Sequence, residues 1–168
     1  GSGKEIIARN IHYNSQRSNK PFVIVNCSSL NPESIEQDLF GEVRSKYLGL
    51  IEKANTGTIL FDEIGDLSIE VQGKLLRFLH ENKYKKIGSN DDYSSDVRII
   101  SSTSKNLDLE IKSGNFRNDL FYRLNVIEII IPSLKDRSDD IKTLSNHFIK
   151  NSNYYNNKLI SISDDAYA

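Results

Sequence analysis

The stretch Thr58-Ile59-Leu60-Phe61-Asp62-Glu63 constrains the fold more than any other part of the chain. Three large apolar residues run directly into two adjacent carboxylates. A continuous apolar run suits a strand buried on both faces, as in the parallel sheet of an α/β protein. Open sheets of that class place ligands beyond the carboxyl ends of their strands, where Asp62 and Glu63 stand. Successive strand residues point to opposite sides, so the two carboxylates are free to differ in role. One can hold a cation while the other acts on a water. The plain alternative is a buried strand followed by an acidic turn.

The surrounding sequence repeats this theme. Pro21 ends a polar loop, and Phe22 to Val25 reads as a second buried strand closed by Asn26. If the two strands are neighbours, the Asn26 carboxamide can reach Glu63; the alternative is an Asn that turns the backbone. Val97 to Ser101 reads as a third strand ending in Ser102-Thr103-Ser104, and Val126 to Ile131 as a fourth, closed by Pro132. Between them lie helical patterns. Ile7 and Ile11 share one face. Asn31 and Pro32 open a helix carrying Ile35, Leu39 and Phe40, with Gly41 at its end. Leu50 to Ala54 makes a short helix. Ser68 caps a longer one, Ile69 to Glu81, in which Gly73 costs about 1 kcal/mol against Ala. Tyr84 to Ile87 opens a hairpin, Leu107 to Ser113 is helical, and Ser138 starts a helix with the stripe Ile141, Leu144 and Phe148. Alternating strands and helices predict an α/β fold, a parallel sheet in a three-layer αβα sandwich. Residues 1–134 form the core, and 135–168 are a linker and the start of a helical subdomain.

Composition narrows the function classes. The 168 residues carry 22 basic and 23 acidic side chains, a formal net charge of −1, which gives no support to a nucleic-acid-binding surface. The single Cys27 follows an apolar run, suits a reducing cytosol and reads as a small buried residue. No signal peptide or membrane span is visible, which points to a cytoplasmic protein. His12, His80 and His147 lack metal-ligand spacing to one another or to Cys27. Gly1 stands inside a glycine loop without an initiator Met, and Asp164 to Ala168 opens a helix, so a fragment of a longer protein is expected.

Two further segments bear on chemistry. Gly1-Ser2-Gly3-Lys4-Glu5 opens a helix and matches the end of a phosphate-binding loop. In such loops backbone N–H groups and a lysine cradle phosphates; the alternative is a Gly-rich loop before a surface helix. Arg117 and Arg123 stand six apart around aromatic and apolar anchors. Six residues are about 240° of rotation on one helix, so both cannot face one phosphate. Either the helix starts between them or their jobs differ, and surface ion pairs are the plain alternative.

The segments GSGKE, VNCSSL, LFG, GTILFDEIGDL, QGKLLRFL, DVRIISST, FRNDLFYRLNV and PSLKDRSDDI together resemble the central AAA+ ATPase domain of sigma-54-type bacterial transcription regulators. The resemblance covers nearly the whole chain and implies a P-loop NTPase core, followed by the start of a helical lid. It implies ATP and Mg²⁺ as ligands. Gly1, Ser2, Gly3, Lys4 and Glu5 match the Walker A loop, and Asp62 the Mg²⁺-linked Walker B aspartate. Glu63 matches the residue acting on the attacking water, Asn26 the asparagine that holds that glutamate, and Thr103 the sensor I region. Arg117 and Arg123 match arginines presented to a neighbouring subunit's ATP, which implies a ring of identical subunits. Two features depart from the pattern. The GAFTGA loop that contacts the sigma factor is absent: only Glu42 to Leu48 separate Gly41 from Gly49. Ser104 stands where sensor I usually has Asn. Both departures resemble the NtrX group of response regulators and count against contact with the sigma factor. The resemblance then implies an ATP-binding domain that couples nucleotide state and oligomerisation to transcription. Its histidine kinase would act through a receiver domain, and its DNA contact would come from a helix-turn-helix domain, both outside this chain. The other reading is an active ring ATPase that remodels sigma-54 RNA polymerase.

Overall fold

The computed structural model describes residues 3–31, 34–156 and 162. The described chain falls into two compact units, one from Lys4 to Glu128, the other containing Gly3 and the stretch from Ile129 onward. The break precedes the linker expected at residue 135.

The larger unit is built on a three-stranded parallel sheet of β1 (Phe22–Asn26), β2 (Thr58–Asp62) and β5 (Arg98–Ser101), in the order β1-β2-β5. The apolar run takes the central strand. Ile59, Leu60 and Phe61 are fully buried, as a strand covered on both faces requires. Helix α1 (Lys4–Tyr13) packs on the sheet and buries Ala8 and His12. Its His12 Nδ1 lies 2.9 Å from the Thr58 hydroxyl of β2, pinning helix to strand. Register pairs Asn26 with Asp62 and Phe61 with Ser101, so the carboxyl ends of all three strands finish level.

Helices follow the predicted patterns closely. Helix α2 spans Ile35–Phe40 and α3 Leu50–Lys53. The expected α2 start at Pro32 lies outside the described residues; Ser34 precedes the first turn. Helix α4 is Ile69–Glu81, with the Ser68 hydroxyl accepting from the Val71 N–H at its start. Its buried Val71, Leu75 and Phe78 meet the sheet through one core with Leu39, Ile51 and Leu120. The expected hairpin is a short antiparallel pair, β3 (Lys83–Tyr84) with β4 (Tyr93–Ser94). Helices α5 (Leu107–Lys112) and α6 (Asn118–Leu124) complete the unit.

The loop between α2 and α3 is pinched at its base. Gly41 holds φ +79°, and a β-carbon on Gly49 would stand 2.6 Å from the Gly41 nitrogen. Only glycine lets two backbones approach so closely. Beyond the pinch, the Val43 N–H donates to the Ile87 carbonyl, while Tyr47 at the tip is 83% exposed.

One predicted strand is absent. Residues 126–131 take no strand conformation, and Val126, Ile127 and Ile130 are 79%, 84% and 80% exposed. The residues have strand propensity, but among the described residues no neighbouring strand supplies a hydrogen-bonding ladder, and an isolated strand is not stable. In the smaller unit, α7 (Ser138–Asn156) forms as expected. The Phe148 of its apolar stripe is 66% exposed. No helix among the described residues is long and apolar enough to cross a membrane.

Candidate functional site

The carboxyl ends of β1, β2 and β5, together with the first residue of α1, bring the charged candidates into one place. β2 ends at Asp62, and Glu63 follows in the left-handed region at φ 55°, ψ 50°. That conformation costs a non-glycine residue about 1–2 kcal/mol and persists only where the surroundings over-determine it. The surroundings here are specific. Lys4 Nζ donates to Glu63 Oε1 at 2.5 Å. The Ser104 N–H and hydroxyl both donate to Glu63 Oε2, at 2.8 and 2.9 Å. Each oxygen of the one carboxylate therefore has its own holder. Partial burial pushes the Glu63 carboxyl up, but the hydrogen bonds from Lys4 and Ser104 and the lysine charge outweigh it, and the group sits below the ordinary glutamate range.

Asp62 is held separately. Its Oδ1 accepts from the Ser102 hydroxyl at 2.5 Å, while its backbone carbonyl accepts from the Cys27 N–H. The two carboxylates thus point to different partners, and the left-handed turn at Glu63, outside the strand, sets the direction of the second. The Asp62 oxygens offer a hard cation one fixed carboxylate, the donor type that Mg²⁺ takes in company with substrate phosphates. Lys4 opens α1 with its first N–H groups unpaired within the helix. These residues fit a polyphosphate with its metal. Gly1 and Ser2 lie outside the described residues. Glu5 turns away to the helix surface, where it pairs with Arg9.

One expectation needs correction. Asn26 does not bond Glu63: its Oδ1 accepts from the Ser28 N–H and hydroxyl, at 3.2 and 2.7 Å. The carboxamide closes a turn two residues ahead, the local competition that Asn enters readily. Thr103 stands in the loop after β5, its hydroxyl accepting from the Lys105 N–H and lying against Gly65. The neighbouring Ser102 and Ser104 touch the carboxylates instead. Their signal was in the register: with Phe61 opposite Ser101, the next residue falls beside Asp62.

The two arginines lie on a different surface. Helix α6 starts directly after Arg117, so the boundary does fall between them. Arg117 grips Asp119 with Nε and Nη2 at 3.0 and 2.7 Å, and its backbone N–H donates to Gln72. Its guanidinium passes over Gly73, 3.7 Å from where a β-carbon would be. Arg123 donates to the Leu79 carbonyl through Nε and Nη2. Neither arginine bonds Lys4, Asp62 or Glu63. Cys27 is buried among acidic neighbours, and burial first, then the Asp66 and Asp62 charges, push its thiol up to about 12, which excludes it as a nucleophile near neutrality.

Comparison with known proteins places this arrangement. The profile described as Sigma-54 interaction domain matches residues 1–130. Regulatory protein AtoC of Escherichia coli is 47% identical over 157 residues, covering 89% of this chain and 34% of its own length. Crystal structures of NtrX from Brucella abortus, in complex with ADP and with ATP, superpose with TM-scores of 0.95 and 0.94 at 40% identity, over 99% of this chain and 38% and 39% of theirs. The chain spans about a third of the length of the relatives it matches.

Proposed function

The chain belongs to the Sigma-54 interaction domain family, and from that premise we propose that it binds ATP with Mg²⁺ as the central domain of an NtrX-like transcriptional response regulator. The observation that supports this most is the convergence of Lys4, Asp62 and Glu63 on one edge of a parallel sheet, with the start of α1 beside them. Lys4 and the first N–H groups of α1 bind the phosphates. Asp62, oriented by Ser102, holds the metal. When bound, Mg²⁺ neutralises charge on the phosphates. Glu63, placed next to Asp62 but facing another way, orients a water or holds it off.

Nucleotide state then couples to self-association. Arg117 and Arg123 bond only to groups on α4 and α6, so on this reading they serve a neighbouring subunit's nucleotide in a ring. The pinched loop between α2 and α3 lacks the segment by which sigma-54 activators reach the sigma factor. The domain therefore regulates transcription through nucleotide-dependent assembly rather than through that contact. DNA binding and the input from a membrane histidine kinase belong to other domains of a cytoplasmic regulator. The second reading, a ring ATPase that remodels sigma-54 polymerase, is favoured by the intact Asp62-Glu63 pair and both arginines.

Steady-state ATP hydrolysis by the full-length protein across protein concentration, beside Glu63→Gln, separates the two. Turnover that rises with concentration and vanishes in the variant supports the ring ATPase. ATP bound with no turnover above the variant leaves a nucleotide-gated regulator. No ATP bound at all overturns both.

A further inference from the structure

We infer that Gln72 is the positioning residue for Arg117: its buried carboxamide latches the start of α6 to the turn that follows Asp62 and Glu63. This deepens the ring reading above and rests on it, since there Arg117 serves a neighbouring subunit's nucleotide. Gln72 is fully buried on α4, on the side that also buries Val71, Leu75 and Phe78. A carboxamide among such neighbours is costly unless its hydrogen bonds are made. Here they are made to backbone. Nε2 donates to the Leu67 carbonyl at 2.8 Å and to the Asn115 carbonyl at 3.0 Å, which uses both of its N–H groups. Oε1 accepts the Arg117 N–H at 2.8 Å. All three backbone groups lie outside the helix and strand ladders: Leu67 closes the 3-10 turn Ile64–Asp66, Asn115 lies between α5 and α6, and Arg117 is the extended residue before α6.

The bonds join two segments with different duties. The turn Ile64–Asp66 follows directly on Glu63, and the Asp66 and Leu67 N–H groups donate to the Glu63 and Ile64 carbonyls at 3.0 and 3.2 Å. Leu67 is therefore tied to the end of β2, while the segment 115–117 carries the arginine. One amide between them fixes where Arg117 starts relative to Asp62 in the same subunit. The Arg117 side chain then runs beside Gly73, the next residue of α4, 3.7 Å from where a β-carbon would be. Successive residues of α4 thus hold its backbone and leave room for its guanidinium. In a ring of identical subunits, each nucleotide lies between one subunit's Asp62 and the next one's Arg117. Tying both to one frame within each subunit makes that spacing the same at every interface. Such placement matters steeply, since a displacement of about 1 Å can cost about 10²-fold in rate. A Met at position 72 would fill the same space but leave the three backbone groups without this partner, so packing alone does not account for the amide.

The test uses the full-length protein. Without nucleotide, hydrogen exchange at the amide of position 117 should be slow in the wild type and in Arg117→Ala, and fast in Gln72→Met. Fast exchange in the wild type, or slow exchange in Gln72→Met, overturns the latch. Self-association driven by a non-hydrolysable ATP analogue with Mg²⁺, followed by sedimentation velocity, then tests the role. Arg117→Ala should weaken association about tenfold, Gln72→Met should weaken it by a similar factor, and the double variant should be no worse than either. Losses that multiply in the double variant mean general damage to the fold and overturn the positioning role, as does association at the wild-type level in Gln72→Met. Gln72→Glu keeps the side-chain shape and an acceptor for the Arg117 N–H but loses the donor pair. It replaces Gln72→Met where that variant does not fold, with the same non-additive loss expected. A wild type that binds the analogue without associating removes the ring reading, and the positioning role with it, while the exchange data still decide the latch.

Discussion

Gly57 lies so close to Pro21 that a β-carbon on it would stand 2.0 Å from the Pro21 carbonyl oxygen. The contact exists because that oxygen accepts the Thr58 N–H at 2.9 Å, the bond that starts the β1–β2 ladder. The Gly57 carbonyl in turn accepts from Arg17 Nη1 and from the Arg98 N–H. Gly57→Ala should therefore cost about 3 kcal/mol or more, by pushing apart the strand starts that set the register of Asp62. Urea unfolding midpoints measure this; a loss under 1 kcal/mol would mean the turn relaxes freely.

Gly73 gives the opposite result. It sits inside α4, and a β-carbon there meets only Arg117 Nη1 at an ordinary 3.7 Å. Gly73→Ala should stabilise the domain by about 0.5–1 kcal/mol through helix propensity. A destabilised variant in thermal unfolding would show that the guanidinium needs the space.

Arg117 should matter for turnover and little for stability. Its grip on Asp119 is an exposed pair, screened by solvent, and contributes little to stability. In a ring ATPase, Arg117→Ala should keep ATP affinity while lowering turnover about 10³-fold. Mixing it with Glu63→Gln subunits should restore part of the activity, since some interfaces then hold one intact partner of each kind. Absence of any recovery would place the arginine's action within its own subunit.

The same pair has a pH signature. The Arg117 hydrogen bond holds the Asp119 carboxyl below the ordinary aspartate range. A lowered folded value means the stabilisation is fully present above the unfolded pKa, about 3.9, and fades as pH falls through the folded one. Across the neutral range Asp119 therefore stays ionised and available to Arg117. The Asp119 side-chain carbon shift, followed by NMR, should titrate at lower pH in the folded protein than in the Arg117→Ala variant.

Cys27, with its thiol pushed up to about 12 inside the core, should not react with a disulfide reagent at pH 8 in the folded protein and should react fully in guanidinium. Rapid labelling of the native state would contradict its burial.

The sequence was most informative where one residue type leaves few alternatives. Ile59, Leu60 and Phe61 had to be a doubly covered strand, and Ser68 with its following stripe had to start a helix. It was least informative where the choice depends on which partner is nearest in space. Val126 to Ile131 reads as a strand by composition, but a strand also needs a neighbour, which no pattern within the run encodes. Asn26 could be read toward Glu63 or toward its own turn, and its side chain bonds Ser28, two residues along the chain. At the end of β5 three consecutive small hydroxyls stand together, and only the backbone decides that Ser102 and Ser104 meet the carboxylates while Thr103 turns aside.

The contact of Gly41 with Gly49 has a consequence for how such domains diverge. With both feet of the loop held together by backbone alone, the chain leaves and re-enters the core at one point. Doubling such a loop costs only about 0.6 kcal/mol in closure entropy. The two glycines thus act as a socket, from which a loop can be shortened, extended or exchanged while its two feet stay where they are.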